Sequence, residues 1–170
     1  MSNANPPGLF SEATRRYVLG TLVVVYTFNF IDRQILSILL EAIKQDLGLS
    51  DTQLGLLTGF AFALFYATLG IPIARWADRG SRRNIISLAL AIWSGMTALS
   101  GLAQNFWHLL LARIGVGVGE AGCSPPAHSM ISDYYPAERR ATALGVYSLG
   151  IPFGILFGFL AGGWINEFFG

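Results

Sequence analysis

In a chain of 170 residues, 53% are hydrophobic and only 12% charged, and the mean hydropathy is +0.52, far from the roughly 25% charge of a soluble domain. The chain is therefore expected to be an integral membrane protein. Its net charge of +1 is spread along the sequence rather than pooled, which argues against a nucleic-acid partner, and one cysteine, Cys123, with two histidines, His108 and His128, excludes an internal disulfide and a metal site of the usual ligand spacing.

Residues 1–16, MSNANPPGLFSEATRR, are polar and contain prolines, and read as a cytoplasmic tail ahead of a transmembrane domain over residues 17–170. The apolar run that follows is too long and too charged for a cleaved signal peptide, so the tail is expected to stay attached. Residues 17–40 supply the roughly 20 residues needed to cross about 30 Å of hydrocarbon, and carry Asp32 and Arg33. The stretch EAIKQDLGLSDTQ reads as a polar connection, with Ser50 or Asp51 as the N-cap of a second helix over residues 52–76 that Pro72 kinks near its end. The turn after it crowds Arg75, Arg79, Arg82 and Arg83 around Asp78.

A third helix is predicted over residues 85–103, and a short link then places Trp107 and His108 at a membrane interface. The fourth, residues 109–134, has its backbone ladder broken by Pro125 and Pro126. After the link YPAERR, which holds Glu138, Arg139 and Arg140, a fifth helix covers residues 141–165. Arginines precede the first helix and fill the second-to-third and fourth-to-fifth links, whereas Lys44 is the only basic residue on the other side. The positive-inside rule puts the N-terminus in the cytoplasm and Gly170 outside.

Glycine spacing predicts packing. Gly150, Gly154, Gly158 and Gly162 recur every four residues and form one smooth stripe for close helix approach. Gly115, Gly117 and Gly119 leave room on the fourth helix either for packing or for a cavity. Residues 117–122, GVGEAG, match the dinucleotide-binding fingerprint G-x-G-x-x-G, but no strand precedes them and they lie at bilayer depth, so a dinucleotide site is not expected.

Arg113 and Glu120 are two helical turns apart and share a face. A charge at the bilayer centre costs about 2.5–3.5 kcal/mol or more, so both must face protein or a watery cavity. Asp32 falls at a depth between them, and contact between the first and fourth helices is expected to join Asp32, Arg33, Arg113 and Glu120 into one buried network. Ion pairs that merely lock two helices are the plain alternative. Against it, two adjacent opposite charges on the first helix are not expected to find one full partner each on a single face. A carboxylate in such a site exchanges protons as its surroundings change, which suits a coupling site. No activated nucleophile accompanies Cys123 or Ser124, so an enzyme is not expected, and protons are the only coupling species foreseen.

Residues 74–83, ARWADRGSRR, resemble the signature between the second and third helices of the major facilitator superfamily, with Ala74 replacing its leading glycine and Ser81 its second. Arg113 with the glycines after it resembles the superfamily's helix 4 motif, and Pro136, Glu138, Arg139 and Arg140 resemble its next loop. GIPFG is loosely similar to its antiporter glycine-proline motif. NFIDRQ at 29–34 together with GEAGCSPPAHSMISDYYP at 119–136 is most similar to the spinster branch, whose members include exporters of lysophospholipids and sphingosine phosphate. The likeness covers residues 16–163.

That resemblance implies an all-α integral membrane fold holding five of the six transmembrane helices of an N-terminal half. It implies a proton-coupled secondary transporter moving an amphipathic lipid-like or organic-anion substrate by alternating access in a bacterial inner membrane. Asp32 and Glu120 would be proton-coupling or substrate-binding carboxylates, with Arg33 and Arg113 as counter-ions or head-group partners. Asp78, Arg79, Arg82, Arg83, Asp133, Glu138, Arg139 and Arg140 would form a cytoplasmic gate. The implied partners are membrane lipids, the substrate, and a sixth helix and C-terminal half. Without these, the chain is expected to be a fragment unable to complete alternating access, its fifth-helix glycine stripe partly uncovered. A small oligomeric membrane protein or channel, or a truncated product without transport, is the rival reading.

Overall fold

The structure, a computed structural model, describes residues 10–169, apart from the side chains of Phe60, Ala61, Phe62, Ala74, Asp78 and Phe169. Eight α-helices and one π-turn follow in order: α1 (Glu12–Leu47), α2 (Asp51–Gly55), the π-turn (Leu56–Phe60), α3 (Ala61–Arg79), α4 (Arg82–Ser100), α5 (Phe106–Ala121), α6 (Ser124–Tyr134), α7 (Ala137–Ser148) and α8 (Gly150–Phe169). They make five spans, since α2, the π-turn and α3 form one rod, and α5–α6 and α7–α8 are two interrupted rods. Three spans, Glu12–Leu47, Asp51–Ala77 and Ala137–Phe168, are long and apolar enough to cross a membrane by length and composition. Val24, Phe28, Leu111, Phe157 and Leu160 point outward, as a lipid-facing surface requires.

The first span overruns its predicted limits at both ends. Ser11 caps it by accepting from the Thr14 amide at 3.1 Å, and Glu12 complements the positive end of the helix dipole. At the far end Glu41, Ala42, Lys44 and Gln45 are good helix formers, so polarity marks only the exit from hydrocarbon. The helix stops where Gly48 adopts φ 63°. Residues 41–47, expected as a connection, are therefore helical.

Ser50 and Gln53 form a reciprocal capping box that starts the second span. Pro72 sits inside α3, which continues past it to Arg79. The third span runs from Arg82 to Ser100, shifted toward the N-terminus from its predicted 85–103, because Gly80 and Ser81 suffice for the turn and Gly101 ends the helix. In the fourth span the break falls at Gly122–Cys123, before the prolines. Pro125 and Pro126 occupy the first turn of α6, where no amide donor is needed, and the Gly122 and Cys123 amides bond tightly back to Gly119 and Glu120. The fifth span begins at Ala137 and is interrupted at Leu149, three residues before Pro152, whose missing amide cannot bond to Ser148.

α1 lies along α8, α4 against α5, and α3 against α5. The α8 glycine stripe is fully covered, contrary to expectation. A Cβ at Gly150, Gly154, Gly158 or Gly162 would stand 3.0, 2.4, 2.6 and 2.6 Å from side-chain carbons of Tyr26, Phe30, Gln34 and Ile38 in turn. Two four-residue registers thus mesh, one of glycines and one of large side chains. On α5, Gly115 seats Met96, and Gly119 and Gly122 seat Trp93 and Ala89; Gly117 is buried. Gly119 and Gly122 of the GVGEAG string therefore serve the contact with α4.

Two apolar clusters bracket the middle of the molecule. Leu19, Leu22, Ile86, Ile131 and Tyr147 belong to one, and Leu49, Leu54, Leu57, Leu109 and Leu110 to the other. On α1, Asp32 and Arg33 fall between them.

Candidate functional site

Adjacent residues on a helix point about 100° apart, and α1 uses that divergence to send two opposite charges in two directions. Arg33 donates from Nε and Nη2 to Glu120 Oε2 at 2.8 and 2.5 Å, while its guanidinium lies over the rings of Phe30 and Tyr66, 5.3 and 5.6 Å from their centroids. Asp32 turns toward α4 and the other end of α5. Its Oδ2 accepts from Trp93 Nε1 at 3.2 Å and Thr97 Oγ1 at 3.3 Å, and lies 3.5 Å from Arg113 Nη1.

Asp32, Arg33, Arg113 and Glu120 are thus brought together as one network. Each charge of the α1 pair does find an opposite partner, against the expectation from adjacency, because Arg113 and Glu120 occupy one α5 face two turns apart and so serve both directions. Glu120 is 0% exposed and Arg113 4%. Burying such pairs costs desolvation that the Coulomb attraction offsets only when the remaining polar atoms are satisfied. Here they are not, since Glu120 Oε1 and Arg113 Nε are buried with no hydrogen-bonding partner among the described residues.

Two clefts flank α1 at this level. One, of about 370 Å³, is bounded by Asp32, Thr97 and Arg113. The other, of about 340 Å³, is bounded by Arg33 and Arg113. Arg113 therefore faces both. Trp93 and Thr97 are polar partners that the sequence does not flag, since a tryptophan or threonine in an apolar helix is ordinary; their i, i+4 spacing beside the glycine-bearing fourth helix is the available signal.

At the end that carries the α6–α7 link, the expected gate is only partly assembled. Arg82 at the start of α4 pairs with Asp133 on α6. Arg139 instead meets Glu12 at 3.8 Å, which also pairs with Arg16 at 3.5 Å, and Arg140 Nε donates to the Tyr135 carbonyl at 3.1 Å. These contacts exist because α1 begins five residues earlier than predicted and reaches the link. Arg79, Arg83 and Glu138 are exposed and form no ion pair among the described residues. The side chain of Asp78 lies outside the described residues.

The comparisons with known proteins agree with this architecture. The model of the Major Facilitator Superfamily matches residues 22–170. The MFS-type efflux pump of Mycolicibacterium smegmatis is 40% identical over 152 residues, which cover 89% of this chain and 35% of the pump. The probable L-galactonate transporter of Escherichia coli is 32% identical over 155 residues, covering 88% and 34%. Among solved structures, a bacterial homologue of the human lysosomal transporter Spinster, in an inward-facing and unoccupied conformation, superposes with a TM-score of 0.88 at 54% identity, over 92% of this chain and 33% of its own. The chain spans about a third of the length of each of these relatives. With a family match over nearly all of the described residues and a helical bundle that superposes on a spinster homologue, the chain belongs to the Major Facilitator Superfamily and is similar to its spinster-like members.

Proposed function

We propose that this chain forms part of a proton-coupled secondary transporter that moves an organic anion or an anionic amphiphile by alternating access. The observation that carries the reading is the pair of ion pairs between α1 and α5 in which Glu120 Oε1 is buried without a hydrogen-bonding partner among the described residues. A proton arriving at Glu120 removes the charge that holds Arg33, and a released Arg33 can take the substrate's oxyanion in its place. Proton and anion thereby favour the same state of the site, which is the thermodynamic content of coupling. Asp32, held by Trp93, Thr97 and Arg113, can act as the second proton-sensitive carboxylate.

An anionic substrate is supported by the two arginines that border one cleft, and by the name of the Escherichia coli relative, a probable transporter of L-galactonate. The lipid-like alternative draws on the resemblance to the spinster branch. Arg82 and Asp133 would be the closing contact of a cytoplasmic gate. The distribution of arginines favours an N-terminus in the cytoplasm of a bacterial inner membrane. Superfamily transporters place the substrate site between two six-helix halves, so the cleft beside α1 would be completed by a sixth helix and a second half.

The test is transport by the protein at the length its cell makes, reconstituted in liposomes with an imposed pH gradient. Glu120→Gln and Asp32→Asn are each expected to abolish gradient-driven accumulation while substrate exchange persists. Accumulation that survives in both variants overturns the proposal.

A further inference from the structure

The second span contains the only π-turn among the described residues, and its middle residue is Thr58. A π-turn adds a residue to one turn of helix and re-aims its side chains, and here Thr58 lines the cleft of about 340 Å³ beside Arg33 and Arg113. The Thr58 hydroxyl donates to the Leu54 carbonyl at 2.9 Å. Its one proton is therefore committed, and only its lone pairs remain for a ligand. Ser37, one turn beyond Arg33 on α1, borders the same cleft, and its hydroxyl makes no hydrogen bond among the described residues. Leu36 and Leu40 complete the lining.

The chemistry of this lining is asymmetric. Two guanidinium groups suit an oxyanion, and the buried Arg113 Nε still lacks a partner among the described residues. The Thr58 oxygen, however, can only accept, so a bare carboxylate or phosphate offers it nothing. A ligand bearing its own hydroxyl beside the charged group satisfies Thr58 as donor and Ser37 as either donor or acceptor. We infer that the cleft between α1, the π-turn and α5 binds an oxyanion carrying a hydroxyl on a neighbouring carbon, with Ser37 and Thr58 as the residues that select for that hydroxyl. The inference rests on the reading of Arg33 and Arg113 as partners of the substrate's charge. Two sources supply this chemistry, a soluble hydroxy acid and the head group of a lysophospholipid.

Isothermal titration of the purified protein in nanodiscs tests it, with gluconate, with hexanoate as the six-carbon acid lacking hydroxyls, and with lysophosphatidate against its analogue lacking the glycerol hydroxyl. The hydroxylated ligand of at least one pair is expected to bind more tightly than its partner. Ser37→Ala and Thr58→Val should each weaken the hydroxylated ligand by about five- to tenfold and leave the partner unchanged, with Thr58→Ser restoring the loss. Dependence seen only with gluconate assigns a soluble hydroxy acid; dependence seen only with lysophosphatidate assigns a lipid head group. Unchanged affinities in Ser37→Ala and Thr58→Val, with binding still lost in Arg113→Gln, overturn the selection by hydroxyl and leave the anion reading standing. Binding that Arg113→Gln does not alter, or no binding of any probe, overturns both. Ser37 is exposed, so its variant reports even if Thr58→Val perturbs the π-turn.

Discussion

Removing Arg33 leaves Glu120 fully buried with neither carboxylate oxygen held by an arginine fork, and breaking a buried pair from one side typically costs about 3–5 kcal/mol. Arg33→Ala is expected to lower stability on that scale in denaturant unfolding of the purified protein. Adding Glu120→Gln should recover most of the loss, because the stranded charge is gone; a double variant as unstable as the sum of the two single ones refutes the account. Trp93→Phe, which keeps an aromatic ring but deletes the donor to Asp32 and part of a buried indole, should cost about 1–3 kcal/mol in the same assay, less than the loss of Arg33. The four charged members of this network were legible in the sequence because charges are scarce and expensive in apolar helices. Trp93, Thr97 and Tyr66 were not, since nothing in an aromatic or threonine at membrane depth distinguishes a partner from filler.

The α1–α8 contact is set by which α8 positions lack a Cβ. At Gly154 an added Cβ would lie 2.4 Å from Phe30 Cβ and 2.6 Å from the Thr27 carbonyl oxygen, and a backbone oxygen cannot rotate away. Overpacking of this kind costs about 1–3 kcal/mol, so Gly154→Ala is expected to reduce thermal stability clearly. Gly163→Ala, where the new methyl meets nothing within 4 Å, should be nearly neutral. Equal effects at both positions would mean that the stripe is not the packing surface. The stripe's spacing announced a close contact but not its partner, because a glycine specifies how near a neighbour may come and says nothing of which neighbour. Helix ends were read least well for a related reason: hydropathy locates the hydrocarbon boundary, whereas capping by Ser11 and the left-handed Gly48 decide where the hydrogen-bond ladder stops.

Across the whole molecule, the charged network lies between two apolar clusters, and the Arg82–Asp133 pair sits beyond one of them, where α4 meets α6. Both partners of that pair are partly exposed, with side chains 27% and 47% accessible, so water screens it and its worth is about 1 kcal/mol or less. A contact of that size cannot hold the fold together, but it can shift a balance between two conformations of similar energy by up to about fivefold. Gate and fold roles therefore separate in experiment. Asp133→Arg is expected to slow transport by a few-fold while leaving the thermal midpoint nearly unchanged, and Arg82→Asp combined with Asp133→Arg should restore the rate, because the reversed pair still attracts. A double reversal no faster than the single variant would show that the side chains matter here for something other than their mutual charge. The positive-inside bias could place both residues on the arginine-rich side, and the family resemblance joined them in one gate, but residue spacing alone could not pair them, since the α4–α6 contact lies beyond the helix break at Gly122–Cys123.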